Sequence, residues 1–272
     1  MIETPSRAGP ASARNAGARR AESEILVFVD ADVIVHPDAF TRIRAAFSGD
    51  RELVAVFGSY DDRPEAPGVV SQFRNLLHHH VHQQGAGPAS TFWAGLGAIR
   101  RGAFVEIGGF DEARFPRPSI EDVELGMRLA ARGARIRLDP DLRGTHLKRW
   151  TLAEMLRTDV VRRGIPWVEL LLRSRSGSRA LNVGWRHRLG ALASLALAAG
   201  VLGRRPRTSI AALSALLGLN AGFYALLARR RGCVEAVAGV PLHAVHYLAA
   251  VISVPLALGR LLFSGLRGRA QA

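Results

Sequence analysis

Two carboxylates separated by one residue follow the first apolar run of the chain. The run is Ile25–Val29, and Asp30 and Asp32 come after it. Such an unbroken, β-branched run predicts a strand buried on both faces of a sheet, and ligands of open α/β sheets bind beyond strand carboxyl ends. Acidic residues at positions i and i+2 at the end of a strand point their side chains the same way. Their hard oxygen atoms suit Mg²⁺ or Mn²⁺, whose coordination is completed by substrate phosphates. The alternative is a pair of turn or helix-capping residues.

A second acidic pair, Glu121 and Asp122, lies at the start of a predicted helix. Apolar residues recur with helical spacing over 120–130, Ser119 is a favourable N-cap residue, and Gly133 is a helix-ending glycine. Acidic side chains in the first turn of a helix interact favourably with its dipole. Capping and dipole stabilisation therefore explain this pair without any binding or catalytic role.

Four histidines, His78, His79, His80 and His82, fall in a predicted helix over 69–84. His78 and His82 are one helical turn apart and share a face, which is a spacing found in metal sites. The central Glu of the zinc-protease pattern and an evident third ligand are missing. We therefore interpret the histidines as a polar helix face close to a site or to a membrane surface.

The segment 91–101 is apolar and rich in glycine. Gly95 and Gly97 would let the backbone approach a ligand closely or turn sharply, because glycine lacks a Cβ atom. The alternative is an ordinary strand that carries a bulge. Both interpretations stay open at this point.

The basic character of the chain is confined to its C-terminal half. The formal net charge is +14, and from Thr151 onward 17 arginines face four acidic residues, whereas residues 1–150 hold 20 basic and 19 acidic residues. The basic half is also the apolar half, which indicates anionic lipid as a partner and argues against nucleic acid. A single cysteine, Cys233, excludes a disulfide framework.

The C-terminal half predicts membrane association. Residues 151–172 are amphipathic and suit a helix lying in the bilayer surface, and 173–188 form an Arg/Ser/Gly segment. Apolar stretches at 189–203, 208–228 and about 240–259 predict two or three spans, the first of them short. Arginines flank both ends of the second stretch, so the orientation of the spans stays open. His243 and His246 fall in the third stretch, where helix packing explains them better than a transport path does.

Several short motifs, each modest alone, occur in a particular order over about residues 9–150. They are Ala13-Arg14-Asn15, Asp30-Ala31-Asp32, Gly95 in its apolar segment, Gly108-Gly109-Phe110-Asp111, Glu121-Asp122 and His146-Leu147-Lys148-Arg149-Trp150. In this order and spacing they resemble family 2 glycosyltransferases of the GT-A fold. The apolar C-terminal stretches make the chain similar to the membrane-bound branch of that family. The resemblance implies an α/β fold, with an incomplete Rossmann-like GT-A domain over 1–150, an interfacial helix and basic linker over 151–188, and a transmembrane region over 189–272.

The resemblance also implies roles on the donor side of a site. Asp30 would lie near the nucleotide ribose or a metal, and Asp32 would coordinate Mg²⁺ or Mn²⁺ on the donor diphosphate. Arg149 would neutralise the leaving diphosphate as part of the family's Q-x-x-R-W motif, and Gly95 would lie against the donor. A nucleotide sugar is therefore the expected donor.

On the acceptor side, the resemblance implies that Asp122, paired with Glu121, is the general base that deprotonates the acceptor hydroxyl. Trp150, Trp93 and His146 would line the acceptor site. His146 stands where the Q-x-x-R-W motif has Gln, so the contact made by that Gln is not expected to be preserved.

The function implied is inverting transfer of a sugar to a lipid-linked or envelope glycan acceptor, by a multi-pass inner-membrane enzyme with a cytoplasmic catalytic domain. Family members begin with a strand–helix–strand unit that binds the nucleobase, and residue 1 of this sequence falls after that unit. We therefore expect an exposed sheet edge and poor activity of the chain as written. A catalytically inactive, membrane-anchored remnant that acts as a scaffold is the alternative.

Overall fold

The structure is a computed structural model that describes residues 9–173 and 184–270, with side chains up to Phe263. Most of the basic segment expected over 173–188 lies outside the described residues. The chain forms two compact units. The first contains the described residues up to Ala66 and Asn75–Arg149, and the second contains Pro67–Arg74 and the described residues from Trp150 onward.

The first unit alternates helices and strands, as the sequence pattern indicates. Its strands are β1 (Ile25–Val29), β2 (Val33–Val35), β3 (Leu53–Tyr60), β4 (Gly87–Ala89), β5 (Leu96–Arg100) and β6 (Arg135–His146). Its helices are α1 (Pro10–Arg20), α2 (Ala39–Gly49), α4 (Arg101–Glu106) and α5 (Glu121–Ala131), together with most of α3 (Val69–Gln84), which begins in the second unit.

The strands form one mixed sheet in the order β1-β5-β3-β6-β2, with β4 also paired to β6. Among the described strands, the β3–β6 pair is parallel and the other pairs are antiparallel. Residues that alternate along a strand face opposite sides of the sheet. Ala55 and Phe57 accordingly join a core with α1, α4 and α5, whereas Val56 joins a core with α2. The expected α/β fold is confirmed.

The expectation that Ile25–Val29 is buried on both faces is wrong. Leu26 and Phe28 are buried, but Val27 and Val29 are 37% and 40% exposed. β1 stands at the end of the strand order and pairs only with β5 among the described strands. The apolar run thus forms an edge strand with one covered face. The sequence pattern does not show this, because hydrophobic periodicity alone does not report whether another element covers the second face.

Two local boundaries differ from those expected. Residues 135–138 by themselves suit a short strand, and Asp139-Pro140-Asp141 suits a turn, but the structure has one long strand, β6, that ends at His146. Phe57 of β3 pairs with Leu138, and Ser59 pairs with Arg143, so the extra residues form an irregularity within the pairing. Helix α5 starts at Glu121, so its N-cap residue is Ile120 and not Ser119, and the Ser119 N–H donates to the Glu121 carboxylate.

The second unit is helical. It contains α6 (Leu152–Arg157), a π-helical segment (Thr158–Gly164), α7 (Ile165–Arg173), α8 (Trp185–Leu202), α9 (Pro206–Leu219), α10 (Ala221–Arg231) and α11 (Cys233–Ala270). The predicted amphipathic helix over 151–172 is present as α6, the π-helical segment and α7.

The two or three membrane spans expected are not confirmed. Within the described parts of the chain, one helix, over Cys233–Phe263, is long and apolar enough to cross a bilayer. A second candidate exists only if α9 and α10 count as one broken span, and these helices are bent by 72°. Helix α8 has 18 residues but begins with charged side chains, which shortens its apolar length.

The second unit contains a buried cluster of ion pairs. Asp159 of the π-helical segment accepts two hydrogen bonds from the Arg74 guanidinium, with N–O distances of 2.5 and 3.2 Å. The second Asp159 oxygen lies 2.8 Å from Nδ1 of His246 in α11. The cluster therefore joins the start of α3, the π-helical segment and α11.

Candidate active site

Helix α1 presents one face to the core of the first unit. Ala11, Asn15 and Ala18 are buried, and the helical spacing places Arg14 on the same face. The Asn15 side-chain amide donates to the Phe110 carbonyl at 2.8 Å and accepts from the Phe110 N–H at 3.0 Å. This pair of bonds fixes α1 against the turn that contains Phe110.

Arg14 joins two of the expected site segments. One end of its guanidinium donates to Asp30 at 2.6 Å, and the other donates to Glu121 at 2.8 Å. Its side chain is only 17% exposed. Burial alone would lower the pKa of Arg14, but the surrounding carboxylates Asp30, Asp122 and Glu121 raise it above its ordinary value. The guanidinium is therefore a fixed cation inside an acidic cluster.

Asp30 and Asp32 lie in a tight turn, and their side chains have different partners. The Asp30 carbonyl accepts from the Val33 N–H, and β1 has already ended at Val29, so the strand alternation expected to align the two acids does not extend to them. Asp30 bonds to Arg14, whereas Asp32 faces His146. Their side chains are 32% and 44% exposed, so both remain accessible to a ligand.

His146, at the end of β6, supports Asp32. Its Nε2 atom lies 3.5 Å from the Asp32 carboxylate, and its Nδ1 atom lies 3.0 Å from the side-chain oxygen of Asn75. The ring stacks on Tyr60 with centroids 4.1 Å apart. The interaction with His146, more than any other, holds the pKa of Asp32 below its ordinary range. His146 is buried, and the acid that its ring faces is Asp32.

The two acids at the start of α5 have different environments. Glu121 is buried, and its oxygens accept from Arg14 and from the Ser119 N–H. The Asp122 carboxylate accepts from the backbone N–H groups of Ala94 and Val123, at 3.1 and 2.8 Å. Burial, reinforced by the negative charge of Glu121, raises the pKa of Asp122 to about 6. Asp122 therefore has the proton affinity of a general base, and Glu121 has the contacts of a structural anchor.

Trp93 and Gly95 are packed against each other. A Cβ atom on Gly95 would lie 2.3 Å from the Trp93 indole, so no larger residue fits there without moving the ring. Trp93 meets Tyr60 edge-on at 4.9 Å and also contacts the rings of His78 and His82. Gly95 is thus required for the close approach of the indole, and its carbonyl oxygen accepts from the Asp30 N–H.

The histidines of α3 mainly connect this helix to the sheet. His79 and His82 donate through Nδ1 to the carbonyl oxygens of Tyr60 and Gly58, both at 2.8 Å. The rings of His78 and His82 lie 3.9 Å apart. No group of three or more metal-ligating side chains is present among the described residues.

The final two residues of the predicted motif belong to different units. Arg149 is exposed at the end of the first unit. Trp150 is buried in the second unit, where its backbone N–H donates to the Ser71 hydroxyl at 2.9 Å. The Arg74 guanidinium lies 5.5 Å from the centre of the Trp150 ring.

The profile described as Glycosyl transferase family 2 matches residues 1–108, which include α1, the Asp30–Asp32 turn and Gly95. The match covers 108 of the 272 residues of the chain. The matched region therefore includes Arg14, Asp30 and Asp32, whereas Glu121 and Asp122 come after it. The resemblance found in the sequence is confirmed, but the membrane-bound branch is not shown.

Two curated relatives of this chain are named validoxylamine A glucosyltransferase. One is from Streptomyces hygroscopicus subsp. jinggangensis (strain 5008) and the other from Streptomyces hygroscopicus subsp. limoneus. Each is 32% identical over 150 residues, covering 45% of this chain. The alignment covers 35% and 33% of the relatives, so the chain spans about a third of their length.

A solved structure shares the fold. It is the mannosyltransferase PcManGT from Pyrobaculum calidifontis, in complex with GDP-Man and Mn²⁺. The TM-score is 0.53 and the identity is 21%, over 88% of this chain and 68% of the other. This similarity confirms the α/β fold expected of a GT-A domain.

Asp30 and Asp32 suit a metal ion whose coordination is completed by oxygen atoms of a bound substrate. Asp30 and Asp32 offer hard oxygen atoms in an accessible turn, but one Asp30 oxygen is already bonded to Arg14. Mg²⁺ and Mn²⁺ are commonly held by one or two carboxylates together with phosphate oxygens. The residues therefore fit a metal that arrives with a diphosphate, and they do not form a complete protein-only site among the described residues.

Sequence reasoning missed the contacts of three residues at this site: Arg14 bonds to Asp30 and Glu121, and Tyr60 and Asn75 contact His146. Arg14 could have been found, because it shares a helical face with Ala11 and Asn15 and an inward-facing arginine needs an acidic partner. Tyr60 and Asn75 carry no comparable signal. Their contacts with His146 arise from strand register and from the docking of α3.

Proposed function

We propose that this protein is an inverting glycosyltransferase that moves a sugar from a nucleoside-diphosphate donor to an acceptor hydroxyl. The family match and the names of the two curated relatives support sugar transfer. The observation that carries the proposal is Asp122, a carboxylate held by two backbone N–H groups and with a pKa raised to about 6. It lies in the same unit as the accessible acids Asp30 and Asp32.

Asp122 acts as the general base. It takes the proton of the acceptor hydroxyl while that oxygen bonds to the anomeric carbon, and the bond from this carbon to the diphosphate oxygen breaks. The electron pair of the broken bond stays on the leaving diphosphate. A base with a pKa near the working pH is ionised often enough to act and basic enough to accept a proton. A single displacement inverts the anomeric configuration and requires only this one base.

The donor side of the site is formed by Asp30 and Asp32. These acids would hold Mg²⁺ or Mn²⁺, which would neutralise the charge that develops on the departing diphosphate. His146 and Arg14 keep the two carboxylates oriented through the contacts described above. Arg149, exposed and cationic, would add positive charge on the diphosphate. Gly95 keeps the backbone close to Asp30 through its carbonyl oxygen.

The acceptor is proposed to be a lipid-linked or envelope glycan at the inner membrane, with the catalytic unit on the cytoplasmic side. Helix α11, with one segment long and apolar enough to cross a bilayer, supports membrane association. The arginine-rich composition of the second half supports contact with anionic lipid headgroups. Trp93 remains the proposed acceptor-side residue of the catalytic unit, whereas His146 is buried and faces Asp32, and Trp150 is buried in the second unit.

The test is donor turnover by the purified protein with a panel of uridine and guanosine diphosphate sugars, with Mg²⁺ or Mn²⁺. Release of the free nucleoside diphosphate is measured, and the anomeric configuration of the product is determined by NMR. Asp122→Asn should lower kcat by about 100- to 10,000-fold, the usual contribution of a general base. Asp38→Asn, which alters an exposed carboxylate at the start of α2, serves as the matched control.

The wild-type rate should fall as the pH drops through about 6, because Asp122 must be ionised to accept a proton. Wild-type turnover in a folded Asp122→Asn protein would disprove the role of Asp122. Turnover with retention of configuration would disprove the single displacement. No turnover of any donor by the wild-type protein would overturn the proposed function.

A further inference from the structure

Two separate connections join the donor-side acid Asp30 to the base Asp122. The first is the backbone of Ala94 and Gly95, because the Ala94 N–H donates to Asp122 and the Gly95 carbonyl accepts from the Asp30 N–H. The second is the Arg14 guanidinium, which bonds to Asp30 directly and to Glu121, the residue before Asp122. The two acids are thus held from both sides.

The orientation of Arg14 is set by its helix. Ala11, Asn15 and Ala18 bury the same face of α1, and the Asn15 side chain is bonded twice to the Phe110 backbone. The Arg14 guanidinium lies 5.6 Å from the centre of the Phe110 ring. Arg14 therefore reaches the acids from a fixed base, and it does not need to be ordered by a ligand.

We propose that Arg14 is a positioning residue, which holds Asp30 and, through Glu121, the base Asp122 in one arrangement for sugar transfer. This inference rests on the proposed function, because the two acids matter together only if donor and acceptor meet between them. The guanidinium suits the task because its planar fork donates from two edges to two carboxylates, which a lysine ammonium on a flexible chain does not reproduce.

Arg14 also carries the positive charge of this cluster. Three carboxylates, those of Asp30, Glu121 and Asp122, surround it. Its charge works against burial and against the Glu121 charge in setting the proton affinity of Asp122. Loss of the cation should therefore make Asp122 harder to ionise, whereas loss of an unrelated structural contact should leave its ionisation unchanged.

Three variants test the inference: Arg14→Met, Arg14→Lys and the control Arg19→Met. Arg19 is on the same helix, is mostly exposed, and forms a long ion pair of 3.6 Å with Glu112. For each variant we measure kcat and kcat/KM for nucleotide-sugar turnover across pH, together with circular dichroism to confirm folding. A misplaced catalytic group can cost about 100-fold in rate, and we expect a loss of this size in Arg14→Met.

The acidic limb of the pH profile separates positioning from simple structural support. In Arg14→Met this limb should move to higher pH, because the cation that lowers the pKa of Asp122 is gone. Arg14→Lys keeps the charge, so its limb should stay near that of the wild type while kcat recovers only in part. Arg19→Met should match the wild type in both respects.

An active wild type with an unchanged rate and pH profile in folded Arg14→Met would overturn the inference and leave the proposed function standing. If Arg14→Met fails to fold, Arg14→Lys is the deciding variant. A full wild-type kcat in Arg14→Lys would overturn the claim that a guanidinium must bond to Asp30 and Glu121 at the same time. A wild-type protein that turns over no donor would instead overturn the proposed function and this inference with it.

Discussion

The buried imidazole of His146 lies 3.5 Å from the carboxylate of the accessible residue Asp32. The ring is held in place by Asn75 at Nδ1 and by stacking on Tyr60. Side chains that orient a ligating carboxylate typically change metal affinity by about 10- to 100-fold when they are removed. The contact therefore connects the end of β6 to the donor side of the proposed site.

We expect His146→Ala to raise the Mn²⁺ concentration needed for half-maximal turnover by about 10-fold or more, because Asp32 loses the contact that orients it. The measurement is a Mn²⁺ titration of nucleotide-sugar turnover at saturating donor. His80→Ala, on the same helix as Asn75 but bonded to Gln84, is the control and should leave the titration unchanged. An unaltered Mn²⁺ requirement in a folded His146→Ala protein would contradict this prediction.

Gly95→Ala should destabilise the first unit, because the new Cβ atom would lie 2.3 Å from the Trp93 indole. Overpacking of this kind typically costs about 1–3 kcal/mol. Gly102→Ala is a matched control, since nothing lies within 4 Å of the added atom and the residue is in helix α4. Urea unfolding should show a lower free energy of unfolding for Gly95→Ala and an equal or higher one for Gly102→Ala. Equal losses in both variants would show that the indole contact is not the cause.

Asp159→Asn should lower the free energy of unfolding of the second unit by about 3–5 kcal/mol near neutral pH, as expected when one partner of a buried ion pair is removed. Burial opposes ionisation of Asp159, but Arg74 and His246 lower its pKa from 3.8 to about 2. Because the folded-state pKa is the lower one, this stabilisation is present above the unfolded value and is lost as the pH falls from 3.8 towards 2.

The difference in unfolding free energy between wild type and Asp159→Asn should therefore shrink in acid. Chemical unfolding at a series of pH values measures it. Glu169→Gln, a partly exposed change in α7, is the control and should have a small effect at every pH. A difference between wild type and Asp159→Asn that stays constant down to the lowest pH would show that the Arg74 and His246 pairs do not stabilise the fold.

The arginines at the junction of α8 and α9 should bind anionic membranes. Arg204, Arg205 and Arg207 are exposed, and each basic residue near an anionic surface contributes about 1 kcal/mol. Changing all three to Gln should weaken binding to phosphatidylglycerol vesicles by roughly 100-fold and leave binding to phosphatidylcholine vesicles little altered. Sedimentation with vesicles measures this, and a triple Gln variant of Arg44, Arg117 and Arg132 in the first unit is the control. Equal losses in the two triple variants would indicate a net-charge effect without a membrane-facing site.

The sequence by itself was sufficient for elements with strong local patterns. Helix α3 was predicted with the bounds it has, because its apolar spacing and flanking glycines are local features. The amphipathic stretch over 151–172 and the apolar C-terminal half were also evident from residue type alone. The acidic pairs were recognised because their order along the chain matches a known family.

Tertiary structure decided which of these residues meet. Strand order placed β1 at an edge, so a run that looked buried on both faces has one exposed face. The docking of α1 gave Arg14 its two carboxylate partners, and the end of β6 brought His146 to Asp32. These contacts join residues far apart in the chain, and they depend on strand register and helix packing, which local periodicity does not encode.

The same reason separates Glu121 from Asp122. The two acids are neighbours at a helix start, where residue type and spacing explain both as capping residues and the family resemblance assigned the base to Asp122. Arg14 and the Ser119 N–H donate hydrogen bonds to the Glu121 carboxylate. Burial beside Ala94 raises the pKa of Asp122 to about 6. Residue type determined that carboxylates stand here, and the surrounding fold determined which one has the proton affinity of a base, because a pKa depends on burial and on nearby charges.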